Sequence, residues 1–237
     1  MKVKAIISAL MLMACGMASA QTKTYLNVET APGVYKSFEV NENLKISWGE
    51  KKELPPSTGT AKRTGDIDVN WVQLWKDGPK FAEYNVGAAN NKAEDYGGYY
   101  AWGGHTNKTD DSYTGSENLS GTYDTATYLW GSTWRMPTKA EFSALYENCN
   151  CTFTTQSGVK GLLCTGKGNY SSNSIFLPAA GQRKGSSDAY VGVYGYYWNS
   201  TVNGNWGCYL YFLDGAVLPT KDGGRSYLFP VRAVLAE

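Results

Sequence analysis

The sequence predicts an α+β fold of short antiparallel strands, one or two helices and long loops, preceded by a small β unit. Three observations lead there. Short strand-like runs (WVQLW, GYYAWG, SIFLPAA, GYYWNST, CYLYFLD and FPVRAVL) are separated by Gly, Asn, Asp and Ser. Only residues 139–148 carry a full helix signature: Thr138 and Glu141 make a capping box, Pro137 precedes the cap, and Phe142, Leu145, Tyr146 and Cys149 share one face. The composition sets 18 Tyr, 8 Trp and 27 Gly beside a charged fraction of only 18%, which suits a rigid, loop-rich scaffold with hydrogen-bonding aromatic surfaces.

Taken in chain order, residues 1–20 read as an export signal peptide. Lys2 and Lys4 form a positive start, Ala5 to Gly16 a short apolar run, and Ala18-Ser19-Ala20 the small-x-small pattern of a cleavage site. The run is shorter than the roughly 20 residues a membrane-spanning helix needs, so no transmembrane helix is expected. Leu12-Met13-Ala14-Cys15 is an imperfect lipobox. It leaves lipid attachment at Cys15 open beside free secretion, so the protein is expected outside the cell or on its outer surface.

Residues 22–48 read as a small β-rich unit: TYLNVET and YKSFEV alternate apolar and polar, Ala31-Pro32-Gly33 turns between them, and LKISW adds a third strand. Residues 49–66, with Pro55-Pro56 and scattered Gly, Ser and Thr, have linker composition. Residues 67–237 then form one domain of ordinary single-domain length.

Charge and cysteines exclude several classes. The chain has 22 basic and 21 acidic residues. Loss of Lys2 and Lys4 with the leader leaves a net charge near minus one and no basic run, so nucleic acid is not an expected partner. Past the leader stand Cys149, Cys151, Cys164 and Cys208, which allow three disulfide connectivities. Cys151 and Cys164 flank a hairpin, TFTT-QSG-VKGLL, where they could face each other; free buried thiols are the alternative. Cys149-x-Cys151 lacks ligand spacing and His105 is the sole histidine, so no metal site or cofactor is expected.

A resemblance sharpens this picture. FAEYNVGA (81–88), EDYGGYYAWGG (94–104), WGSTWRMPTKAEFSAL (130–145), GVKGLLCTG (158–166), NSIFLPAAGQR (173–183) and YWNST (197–201) occur in that order. They resemble the major-paralogous-domain (FISUMP) family of exported bacterial proteins. WRMPTKAEF is also similar to a helix start in the formylglycine-generating, or sulfatase-modifying, superfamily. The resemblance covers residues 67–237 and implies a C-type-lectin-like fold. In physical terms these motifs read as fold determinants: Arg135 can pair with carbonyls or a carboxylate, while Pro137 and Thr138 fix the start of the helix.

Enzymatic chemistry finds little footing. The formylglycine-generating resemblance would require a cysteine pair near the C-terminal strands, and only Cys208 stands there. A serine triad would need His105, without a nucleophile-elbow pattern beside it. Glu94-Asp95 and Asp110-Asp111 read as solvated turn acids. Lectin-type calcium binding would need an acid after Trp198-Asn199, where Ser200 stands. Asp124-Thr125-Ala126 matches a short O-glycosylation motif, with an ordinary loop as the other reading.

The expected function is therefore an exported, surface-associated recognition module for an extracellular glycan or protein, not an enzyme. A structural or adhesive surface component, with a C-terminal face diversified as the resemblance implies, is the alternative. Residues 188–227 gather Tyr, Trp, Asn and Asp, and the alternation in GCYLYFLD sends half of its side chains inward. The expected ligand-facing residues are Tyr190, Tyr196, Trp198, Asn203, Trp206 and Asp222. A core position competes for Trp198, which lies in YWNST, and the loop at 105–124 is the fallback surface.

Overall fold

A computed structural model describes residues 56–184 and 187–236, together with the backbone of three strands nearer the N-terminus. The chain divides into two units, Met1–Glu53 and Leu54–Glu237. In the first, β1 (Ala5–Ser8), β2 (Thr24–Ala31) and β3 (Val34–Val40) form an antiparallel sheet in the order β1-β2-β3. The β2–β3 pairing, with Ala31 opposite Val34, is the expected hairpin. Part of the expected leader, Ala5–Ser8, pairs with Tyr25–Val28. Cys15, Ala18-Ser19-Ala20, Pro32-Gly33 and the expected strand LKISW lie outside the described residues.

The second unit opens with β4 (Thr58–Arg63), β5 (Ile67–Gln73) and β6 (Lys80–Asn85). Next come α1 (Thr125–Trp130), β7 (Trp134–Arg135), α2 (Lys139–Asn148), β8 (Asn150–Gln156), β9 (Val159–Thr165) and β10 (Ser174–Pro178). The chain closes with β11 (Gln182–Lys184), β12 (Ser187–Ala189), β13 (Gly195–Asn203), β14 (Trp206–Leu213), β15 (Ala216–Gly224) and β16 (Arg232–Leu235). The strands form a five-stranded sheet β4-β5-β6-β16-β7, two three-stranded sheets β10-β9-β8 and β13-β14-β15, and the ribbon β11-β12. Every named strand pairing is antiparallel, and the two α-helices are the only ones among the described residues. The fold is accordingly mainly β or α+β.

The expected linker needs correcting. Thr58–Arg63, inside residues 49–66, is strand β4, paired with β5 from Thr58↔Val72 to Arg63↔Ile67. An edge strand with solvent on one side needs few apolar residues, so TGTAKR has the composition of a linker while alternating exposed and half-buried positions. GYYAWGG departs in the opposite sense: only Tyr100 makes a strand-like bridge, to Phe229. Gly97, just before it, has φ +76°, a Cβ there would lie 2.6 Å from the Val86 carbonyl, and the Gly98 amide donates to that carbonyl (2.8 Å), so the segment serves as a close-packed loop.

Local signals elsewhere hold. The helix begins where the capping box places it: Thr138 Oγ1 accepts from the Glu141 amide (3.2 Å) and Glu141 Oε2 from the Thr138 amide (2.7 Å). Arg135 donates to both Glu141 oxygens (2.8 and 2.7 Å), so the helix start is clamped twice. Phe142, Leu145 and Cys149 are buried, and the helix packs on β13, β14 and β15. Tyr146, expected on that same face, is instead exposed. Cys151 and Cys164 are register partners across β8–β9 and form a disulfide, leaving Cys149 and Cys208 as buried thiols. Ser157 and Gly158 turn that hairpin with φ of 49° and 83°, the two positive values of a type I′ turn.

Two apolar clusters build most of the core. One holds Trp102, Trp130, Trp134, Trp198 and Phe229; the other holds Phe81, Phe142, Leu177, Tyr197 and Phe212. Asp124-Thr125-Ala126 turns out to be a helix start buried in this unit. Asp124 caps α1 and accepts from the Met136 amide, while Thr125 Oγ1 donates to the Gly104 carbonyl (2.8 Å) from a fully buried position. Neither the loop nor the glycosylation reading survives for it.

Candidate functional site

The antiparallel pair β13–β14 positions most of the expected site, because alternation along it separates two kinds of ring. On one side Tyr197, Leu210 and Phe212 enter the core beneath the sheet. On the other, Tyr196 stands opposite Tyr211 and Trp198 opposite Tyr209. Trp198 goes deepest: it is fully buried, donates from Nε1 to the Tyr100 carbonyl (2.9 Å) and packs on Phe229 (4.4 Å between centroids). Trp198 is therefore a core ring and leaves the expected ligand-facing set; its tryptophan N–H needs an internal acceptor once buried, and the Tyr100 carbonyl supplies one.

Above Trp198 the rings spread toward solvent around Phe229. Tyr196 stacks on Phe229 (4.9 Å), Tyr209 meets it edge-on (5.1 Å) and Tyr227 lies over it at 5.8 Å. Tyr196 touches Tyr211 (5.1 Å), Tyr211 touches Tyr194 (5.7 Å), and Tyr194 touches Tyr190 (5.0 Å). Six tyrosines thus form one continuous face, half-buried in the middle and open at its ends, where Tyr190 and Tyr227 are 51% and 48% exposed. Among the described residues none of the six phenol oxygens has a hydrogen-bond partner. Burial, and then the neighbouring rings, push the Tyr196, Tyr209 and Tyr211 phenols above their ordinary range, so they stay neutral donors at physiological pH.

The expected polar residues gather instead on the other side of the sheet, toward α2: Asp222 is the register partner of Cys208, which alternates with Leu210 and Phe212 and not with the tyrosines. Asn203 Nδ2 donates to Asp222 Oδ2 (2.7 Å), and the Cys208 thiol donates to Asp222 Oδ1 (3.0 Å). The Cys208 hydrogen bond holds the Asp222 carboxyl below its ordinary value, with Asn203 and Lys139 adding to the effect against some desolvation. The same environment pushes the Cys208 thiol up to about 12, chiefly through burial, so it is no nucleophile at neutral pH. Trp206 pairs with Asn203 across the turn and is 53% exposed. A Cβ on Gly224 would sit 3.8 Å from both the Trp206 and Tyr227 rings, which places these two rings on either side of that glycine.

Arg225 fixes this end. Its guanidinium lies 4.6 Å over the Trp102 ring and donates to the carbonyls of Tyr113, Gly115 and Gly204. That ties the turn bearing Trp206 to the loop at 105–124, so the fallback surface and the C-terminal surface meet there. In that loop Asp111 accepts from the His105 and Thr106 amides, and His105 stacks on Tyr128 at 3.7 Å. Among the described residues no group of three or more His, Cys, Asp and Glu is placed to hold a metal ion.

Of the six expected residues, the structure puts Tyr190 and Tyr196 on the tyrosine face and Trp206 at the exposed turn beside it, places Asn203 and Asp222 together on the opposite side of the sheet, and removes Trp198 to the core. Tyr194, Tyr209, Tyr211 and Tyr227 complete the face. Odd-numbered alternation along β14 was a sufficient signal for Tyr209 and Tyr211; Tyr227 joins only through Phe229, which no local pattern marks. Comparison of the chain with protein-family models, curated proteins and solved structures returned no match, and no described helix is long and apolar enough to cross a membrane.

Proposed function

We propose that this chain is an exported, surface-associated recognition module of the FISUMP type, with a C-type-lectin-like second unit, that binds an extracellular glycan or protein on its tyrosine face rather than catalysing a reaction. The observation that carries this reading is the face itself: six contiguous tyrosines on strands and tight turns, exposed at both ends, with phenol hydroxyls that have no hydrogen-bond partner among the described residues. Rings held this way lose little conformational entropy on binding and offer both stacking surface and donors. Trp206, near Tyr227 beside Gly224, extends it with an exposed indole.

A glycan array probed with the purified protein, with and without EDTA, tests the reading. Binding that survives EDTA and falls on Tyr190→Ala, Tyr227→Ala and Trp206→Ala, each with little change in melting temperature, is the expected result. Self-association with no glycan hit points to a structural or adhesive component instead. Oxidation of a sulfatase-type cysteine peptide by the protein would overturn the non-enzymatic reading.

A further inference from the structure

On a different part of the second unit, a cleft of about 550 Å³ opens between the β4–β5–β6 side of the five-stranded sheet and β10. That volume lies within the roughly 300–1,000 Å³ of small-molecule sites. Its floor is a cross-strand row. Thr60 stands opposite Asn70 on β5, and Asn70 Nδ2 donates to Glu83 Oε2 on β6 (2.8 Å). Gln156, Ser174 and Phe176 line the facing wall.

The cleft is held open by buried groups at two points. Arg232 is fully buried beneath it and donates to the Glu83 carbonyl (2.9 Å) and the Phe176 carbonyl (2.9 Å), one on each side of the cleft. Asn173 donates from Nδ2 to the Gln73 carbonyl (2.8 Å) and more weakly to the Ser57 carbonyl (3.4 Å), fixing the turn before β10 to the ends of β4 and β5. Gln156 is in turn oriented by Glu94, which accepts from its Nε2 at 2.9 Å. Walls set by internal polar clamps need no ordering on binding, so a ligand meets a preformed site.

Its chemistry is lopsided. Asn70 and Gln156 each give one amide hydrogen to a carboxylate, Glu83 and Glu94, and keep a carbonyl oxygen and one hydrogen, while Glu83 keeps a second carboxylate oxygen. Thr58, Thr60, Ser172 and Ser174 add hydroxyls, and no Lys or Arg is among the lining residues. The lining therefore offers more hydrogen-bond acceptors than donors. We propose that this cleft is a second binding site, independent of the tyrosine face, that takes a neutral saccharide unit through its hydroxyl donors.

The test titrates the full-length protein with glucose, galactose, mannose, N-acetylglucosamine and their β-1,4-linked disaccharides at millimolar concentrations, read by amide NMR. At least one sugar should shift the backbone amides of Thr58–Thr60 and Ser172–Ser174 and the side-chain amides of Asn70 and Gln156. Glu83→Gln, which preserves shape and removes the charged acceptor, should weaken that binding about tenfold. Thr60→Arg, at an exposed position that fills the cleft, should abolish it while the melting temperature and any ligand binding at the tyrosine face persist. Absence of shifts at these residues with every sugar, or binding unchanged in both variants, overturns the proposal. Loss of binding only on Tyr190→Ala assigns the sugar to the tyrosine face and equally overturns it.

Discussion

Replacing Arg232 by methionine removes one guanidinium on which much of the second unit converges. The side chain is fully buried and donates to Asn85 Oδ1 (2.8 Å) and to the carbonyls of Ala82 (3.1 Å), Glu83 (2.9 Å) and Phe176 (2.9 Å). None of these acceptors is a carboxylate, so carbonyl and amide dipoles supply its hydrogen bonds, with the Glu83 carboxylate contributing only through space. Burial pulls the pKa of Arg232 down to about 10, still far above neutrality, and the group remains charged at physiological pH. Methionine has similar reach and no donor, so four acceptors lose their partner. Hydrogen bonds to a charged group contribute about 1.5–3 kcal/mol each, a gross loss of roughly 6–12 kcal/mol. Removing the buried charge returns several kcal/mol of desolvation, leaving a net destabilisation of about 3–5 kcal/mol. At roughly 2–4 °C per kcal/mol for a unit of this size, the melting temperature should fall by about 6–20 °C. Arg232→Lys keeps the charge, but its compact ammonium cannot span from Asn85 to Phe176, so it should also destabilise. Urea unfolding followed by tryptophan fluorescence, with thermal melts by circular dichroism, measures both variants. A methionine variant within about 1 kcal/mol of the parent would refute the reasoning, since the hydrogen bonds would then do no more than offset the desolvation they compensate.

Thr138→Ala removes the acceptor of the Glu141 amide and should cost about 1 kcal/mol in urea unfolding, with the helix retained in the far-ultraviolet spectrum. Burial raises the Glu141 pKa, but hydrogen bonds from Arg135 and Thr138 outweigh it and leave the value below the ordinary 4.5. A depressed carboxyl stabilises the fold above its unfolded pKa and loses that contribution as pH falls through the folded one. Stability should therefore drop below about pH 4.5 in the parent protein and drop less steeply in Glu141→Gln; parallel acid profiles would contradict this. Reduction of Cys151–Cys164, or Cys151→Ser with Cys164→Ser, should destabilise the unit by about 3 kcal/mol. A melting temperature indifferent to dithiothreitol would show that the bridge constrains little beyond what the hairpin already does.

What the sequence determined by itself is what short-range chemistry controls. The α2 start at Thr138 needs only residues 135–141 and the β8–β9 hairpin only a short turn between alternating strands, while for Cys151 and Cys164 a disulfide and free thiols stayed open until the strand register set them opposite each other. The tertiary structure decided the rest. TGTAKR becomes a strand only because β5 lies beside it, and GYYAWGG becomes a loop because Val86 and Phe229 approach its backbone closely. Trp198 and Trp206 are both tryptophans in one hairpin, yet one is core and the other half-exposed, since the deciding neighbours are Tyr100 and Phe229 for the first and a surface turn for the second. Arg232 reaches acceptors as distant as Ala82, separated by 150 residues. Burial is a property of the assembled layers, and a contact closed over such separations leaves no periodic trace in the strands that make it.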